Sequence, residues 1–165
     1  QTEQDVRKSG IEWVIGRNGI YIEPDIEYVD KYIIAGEIAN CAGNGKCGYT
    51  TREELAYAYT QMLTGASHNG RTYNLHGEPL TQVELAEYLS RTFDTSLVYR
   101  LIDKETYRQE RINELGEFIG VVISGIYTGI HDGAFNNASD FTEAAGRPHL
   151  CWDKYFSTVR NRNEP

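Results

Sequence analysis

The stretch CAGNGKCGYTTREELAYAYTQML, Cys41–Leu63, decides the fold. Gly43, Gly45 and Gly48 spell GxGxxG ahead of a helix-like run. EIANCA (37–42) precedes it as a candidate strand, and RTYNLHGE (71–78) follows as another, ending at the acid Glu78. A strand, a glycine turn, a helix, a strand and an acid are the parts of a dinucleotide-binding fingerprint. Three features argue against it. A fingerprint strand is buried on both faces and reads as a continuous Val/Ile run, whereas Glu37, Asn40 and Cys41 leave too little apolar length. The helix should start inside the glycine loop so that its N-terminus meets the pyrophosphate. Here Thr51-Arg52-Glu53-Glu54 is a capping box that starts the helix after Tyr49 and Thr50. Finally, GNGK between two short extended runs suits a tight hairpin turn, because Asn and Gly tolerate positive φ. The glycines are therefore expected to form a hairpin turn, with Gly45 supplying the positive φ.

Working outward, 165 residues suit one domain with a real core. The longest apolar run, FIGVVISGIY (118–127), is far short of a membrane span. A formal net charge of −8, with no Lys/Arg cluster to offset it, argues against direct nucleic-acid binding. No signal-peptide pattern opens the chain, so a cytoplasmic protein is expected. It begins with Gln, which implies an N-terminus removed or left out. The odd count of Cys41, Cys47 and Cys151 favours reduced thiols. His68, His76, His131 and His149 are scattered without metal-ligand spacing and read as surface or capping residues, so no metal is expected.

Helix and strand alternate along the chain. Residues 1–9 read as a helix stopped at Ser9-Gly10, and IEWVIGR (11–17) reads as a strand. Pro24-Asp25 starts a helix to about Ala35. A capped helix covers about 52–64, and RTYNLHG is a strand. PLTQVELAEYLSRTF (79–93) is a helix with a capping box at Thr81 and Glu84 and apolar positions at Leu80, Val83, Leu85 and Leu89. SLVYRLI (96–102) is a strand, and Asp103 opens a mostly helical remainder broken at Gly116, Gly133 and Gly146-Arg147-Pro148. Strands separated by helices imply parallel pairing. Three such strands would leave a sheet edge and a face poorly covered, so the expectation is part of a larger α/β fold.

Four segments then carry a resemblance. TEQDVRKSGIEWVIGRNGIYIE (2–23), GNGKCGYTTREELA (43–56), GRTYNLHGEPLTQVELAEYLS (70–90) and GAFNNASDFTEAAGRP (133–148) occur in an order that covers nearly the whole chain. They resemble the C-terminal portion of NmrA-like proteins, atypical members of the short-chain dehydrogenase/reductase superfamily. The similar subgroup is that of NAD(P)H-dependent quinone oxidoreductases and triphenylmethane-dye reductases.

The resemblance implies a single lobe, 1–165. It would be the C-terminal part of a Rossmann-type fold: a few mostly parallel strands with a helical substrate-binding cap. The dinucleotide-binding half would lie upstream. NADP or NAD would then be held only with that half, with no metal and no flavin. The partner would be a small-molecule acceptor, with no membrane contact, and a homodimer stays open.

RNGIYIE (17–23) is the site loop, at a strand end where open α/β sheets place ligands. By the resemblance, Arg17, Asn18 and Gly19 would border the nicotinamide. Tyr21 and Glu23 would face substrate, Tyr21 by stacking or by donating a hydrogen bond to a carbonyl. Otherwise Asn18-Gly19 is a plain turn and Tyr21 a packed aromatic. Tyr49, Thr51 and Arg52 are further candidates for the pocket wall, with surface ion pairing the alternative for Arg52. The family's lysine after Thr-Glu is Gln4 here, the Asn after Tyr-x-Glu is Pro24, and two aspartates are Asn136 and Asn137. Those departures fit a divergent substrate or an NAD(P)-sensing regulator of the NmrA type without turnover.

Overall fold

A computed structural model describes residues 1–163. Helix α1 (Thr2–Lys8) leads into strand β1 (Val14–Asn18), and β2 (Ile20–Tyr21) follows at once. Two short helices, α2 (Glu23–Glu27) and α3 (Val29–Ala35), precede β3 (Glu37–Asn40) and β4 (Tyr49–Thr50). Then come α4 (Arg52–Thr64), β5 (Arg71–Leu75), α5 (Gln82–Thr92) and β6 (Val98–Leu101). Helices α6 (Lys104–Leu115), α7 (Glu117–His131), α8 (Phe141–Ala145) and α9 (Trp152–Asn163) complete the order. Among the described residues, no helix is long and apolar enough to cross a membrane.

All strand pairs are parallel, as alternation with helices requires: β1 with β5, β2 with β4, and β3 with β6. The expected hairpin does not form. The runs flanking GNGK each find a parallel partner elsewhere, so residues 41–48 link two separate ladders. The loop keeps one tight turn, with the Gly45 N–H on the Ala42 carbonyl at 3.1 Å. Positive φ belongs to Gly43, at +60°, and not to Gly45. Gly45 has a different reason to be glycine: a Cβ there would collide with the Ile130 carbonyl at the end of α7. Cys47 and Leu80 exchange backbone hydrogen bonds of 2.8 and 3.0 Å, pinning the loop against the start of α5.

The caps fall where the sequence places them. Thr51 Oγ accepts from the Glu54 N–H at 3.0 Å, which starts α4 outside the glycine loop. Glu54 does not complete that box: its carboxylate is clamped by both Arg147 nitrogens at 2.8 Å and by the Leu150 N–H at 3.0 Å. At α5 the box is complete, with Thr81 and Glu84 capping each other's backbone. Val83 does not join the core; it is 46% exposed, because the buried face of α5 is Gln82, Leu85, Ala86 and Leu89. The helix expected from Pro24 to Ala35 is two helices that break at Tyr28.

Two of the histidines depart from the surface assignment. His76 follows β5 and is buried beneath Gly19 and Gly48, where added Cβ atoms would meet its side chain at 2.7 Å. His149 is partly buried with Nε2 at 3.2 Å from Thr50 Oγ1, and burial pushes its pKa down. Cys41 and Cys47 are buried, Cys151 is exposed, and all three are free.

Candidate functional site

The carboxyl ends of β1 and β5 lie side by side: Asn18 pairs with Leu75, and the Gly19 N–H donates to the Leu75 carbonyl at 2.9 Å. Gly19 then passes so close to the Gly48 carbonyl and to His76 that no Cβ fits. Two cavities open from this point, and Gly19 lines both.

The first, of about 320 Å³, is polar. Arg17, Asn18, Asn74, His76 and Asn137 line it with Gly19, Gly48, Ala134 and Phe135. Asn18 is held in place by the Tyr59 hydroxyl, which donates to its Oδ1 at 2.8 Å. The Arg17 guanidinium makes a two-point contact with Glu3 of α1, at 2.7 and 2.9 Å. His76 Nδ1 is 2.8 Å from the Gly77 carbonyl, which makes it the N–H tautomer's donor, while Nε2 is buried without a partner. An orphaned acceptor beside three amide side chains suits a ligand carrying its own amide or hydroxyl donors.

The second cavity, of about 470 Å³, is aromatic and apolar, within the size range of small-molecule sites. Tyr21 of β2, Tyr28 and Tyr32 of the α2–α3 segment, Tyr49 of β4, Tyr107 of α6 and Tyr127 of α7 contribute rings. Ile123, Ile126 and Ile130 of α7 supply an aliphatic wall. Tyr107 and Tyr127 meet edge-on at 5.3 Å, as do Tyr28 and Tyr32 at 5.2 Å. Behind Tyr49 lies a buried polar chain. Asn40 Nδ2 donates to Gln82 Oε1 at 2.8 Å, and Gln82 Nε2 donates to the Tyr49 hydroxyl at 2.9 Å.

One acid faces this wall of phenols. Asp25 is 6% exposed and accepts the Tyr32 hydroxyl on Oδ1 at 2.9 Å. Burial lifts its pKa from 3.8 to about 6, against the pull of the Tyr32 hydrogen bond. Burial also pushes Tyr32, Tyr49, Tyr107 and Tyr127 upward, so these phenols stay neutral and can only act as hydrogen-bonding groups at physiological pH.

The structure brings several of the residues singled out by sequence to these cavities, but not all. Arg17, Asn18 and Gly19 line the polar one, while Gly19, Tyr21 and Tyr49 line the aromatic one. Tyr21 stands at the mouth, 41% exposed, with the Arg52 guanidinium 5.9 Å from its ring centre. Arg52 itself pairs with Glu27 at 3.1 Å on the surface. Glu23 and Thr51 line neither cavity. Glu23 Oε1 accepts the Arg52 N–H at 2.7 Å, and Thr51 is the buried cap of α4. Asp25, His76, Tyr107 and Tyr127 are the residues that sequence reasoning passed over.

No family model matches the chain. Quinone oxidoreductase 2 of Escherichia coli (strain K12) is 28% identical over 108 residues, covering 65% of this chain and 38% of that protein. A (4-alkanoyl-5-oxo-2,5-dihydrofuran-3-yl)methyl phosphate reductase of Streptomyces griseus is 26% identical over 109 residues, 66% of this chain and 39% of that protein. The Citrobacter sp. triphenylmethane reductase, solved in complex with NADP(H), superposes with a TM-score of 0.83 at 28% identity. The chain is similar to these reductases in sequence and in fold. It carries part of a Rossmann-type α/β fold. The superposition takes in 97% of it and 56% of the Citrobacter protein, and the two curated relatives are matched over less than two-fifths of their length.

Proposed function

We propose that this chain is the C-terminal, substrate-binding lobe of an NAD(P)H-dependent oxidoreductase that reduces a quinone-like or other electron-poor acceptor. The observation that carries the proposal is the pair of cavities meeting at Gly19, one polar and one aromatic. Hydride transfer needs two flat rings held face to face with water kept out. A polar slot for a carboxamide-bearing ring and an aromatic slot for an acceptor, sharing a residue that has no side chain, supply that arrangement. Arg17, Asn18, Asn74 and His76 fit the nicotinamide end, and His76 Nε2 offers its unused acceptor to the carboxamide. When bound, the reduced nicotinamide supplies the hydride.

The chain's own residues do the rest. The isoleucine wall of α7 and the buried tyrosines exclude water, and Tyr21 at the mouth donates a hydrogen bond to the acceptor carbonyl as negative charge grows there. NADPH deuterated at C4, given to the full-length protein with a triarylmethyl cation, tests the chemistry. Deuterium on the central carbon of the reduced dye is expected. Turnover without deuterium in the product, or no turnover on any quinone, dye or aldehyde despite NADPH binding, would favour a cofactor-sensing regulator instead.

A further inference from the structure

We propose that Asp25 is the proton donor to the reduced acceptor, working from inside the tyrosine cavity through the oxygen that Tyr32 leaves open. The inference rests on the hydride-transfer reading above and adds the second half of the reaction.

A quinone becomes a hydroquinone by gaining a hydride and a proton. The hydride, with its electron pair, comes from the reduced nicotinamide, which is oxidised. A group inside the acceptor cavity is placed to supply the proton, because the aromatic and aliphatic walls leave few polar groups there. At Asp25 the carboxyl O–H bond breaks, an O–H bond forms on the quinone oxygen, and a carboxylate remains. Solvent reprotonates it when the hydroquinone leaves.

The geometry singles out this side chain. Asp25 lines the cavity and is buried. Oδ1 is occupied by Tyr32, while Oδ2 has no hydrogen-bond partner among the described residues. Among the described residues no ion pair holds the carboxylate charged: Arg111, which lines the same cavity, is paired with Glu114 at 2.6 Å. The titratable groups facing it are the phenols of Tyr32, Tyr49, Tyr107 and Tyr127 and the Cys47 thiol, with Tyr28 further along the wall. Burial pushes Cys47 up to about 12 and lifts these four phenols as well, so they keep their protons near neutrality. Asp25, lifted to about 6, exchanges its proton in the range where an enzyme works. In the helix it occupies, an acid at this position would ordinarily sit in water beside the N-terminus; this one is turned inward.

The test compares two acceptors in the full-length protein. A quinone needs a hydride and a proton; a triarylmethyl cation needs a hydride alone. Asp25→Asn is expected to lower kcat on the quinone at least tenfold more than on the cation, as loss of a general acid does. The parent's quinone kcat should fall as pH rises through about 6, and that limb should vanish in the variant. Tyr32→Phe removes a hydrogen bond that favours the carboxylate, so it should move the limb to higher pH. Carbon-13 NMR of the side-chain carboxyls gives a readout without turnover: one signal should titrate near 6 and be missing in Asp25→Asn. Equal losses on both acceptors, or a carboxyl that titrates in the ordinary aspartate range, would overturn the role of Asp25. A parent protein that reduces neither acceptor would overturn the oxidoreductase reading itself, and the proton donor with it.

Discussion

Replacing Asp25 by Asn should make the protein more stable, and only above a defined pH. The carboxyl is buried among phenols, and its pKa rises from 3.8 in the unfolded chain to about 6 in the folded one. Between those values the folded state holds a proton that the unfolded chain gives up. Stability therefore falls as pH climbs through this window and levels off above it. At about 1.4 kcal/mol for each pH unit of difference, the ionised acid costs the fold about 3 kcal/mol at pH 8 and almost nothing near pH 3.5. Asparagine cannot ionise, and its amide oxygen can still accept the Tyr32 hydroxyl. Urea denaturation of parent and variant across that pH range measures the effect, since every other titrating group is common to both. The variant is expected to gain about 3 kcal/mol relative to the parent between the two ends, with no change in the urea slope. Parallel stability curves would refute the reasoning, because they would mean that folding does not shift the ionisation of Asp25.

Tyr21→Phe should lower turnover of the full-length protein more than it weakens NADPH binding, because the lost hydrogen bond matters most as charge develops; steady-state kinetics beside calorimetric titration would show it, and unchanged turnover would make Tyr21 a packing residue. Gly45→Ala should destabilise the fold by about 1–3 kcal/mol, since the new methyl meets the Ile130 carbonyl, while NADPH affinity of the full-length protein stays put; thermal melts and titration separate the two. Glu54→Ala should cost about 2–3 kcal/mol in urea melts, because Arg147 and the Leu150 N–H lose a buried shared acceptor. The chain alone should bind NADPH more weakly than micromolar by calorimetry, since an affinity of that order needs about −8 kcal/mol of contacts and the described loops offer no phosphate cradle.

Local chemistry was legible in the sequence where a few neighbouring residues settle the matter. Thr51, Thr81 and Asp103 each cap a helix through their own side chain, and Gly116 and Gly146 end helices with positive φ, so each boundary could be read from adjacent residues. Asn44-Gly45 also announced a turn. What it could not announce was which strands lie beside it: β3 finds β6, some sixty residues on, and β4 finds β2, so turn chemistry alone suggested a hairpin that does not exist. The same limit hid half of the site. Arg17, Asn18, Gly19 and Tyr21 sit on one continuous stretch, from the end of β1 through β2, and were visible together. Tyr107 and Tyr127 reach the cavity only because α6 and α7 fold over it. Asp25 looked like an ordinary acid in a first helical turn, where negative charge is favoured. Its tell was Tyr28 and Tyr32, three and seven residues on, which put two rings on the face it shares. His76 gave no such sign, because its burial comes from glycines in two distant loops.

A crystal structure of the full-length protein with NADP⁺ and a quinone would show whether acceptor and nicotinamide meet at Gly19. The nicotinamide is expected against Arg17, Asn18 and His76, and the quinone among Tyr21, Tyr49 and Tyr127 with an oxygen within hydrogen-bond distance of Asp25. A quinone bound outside the tyrosine cavity, or a nicotinamide that does not touch Gly19, would contradict it.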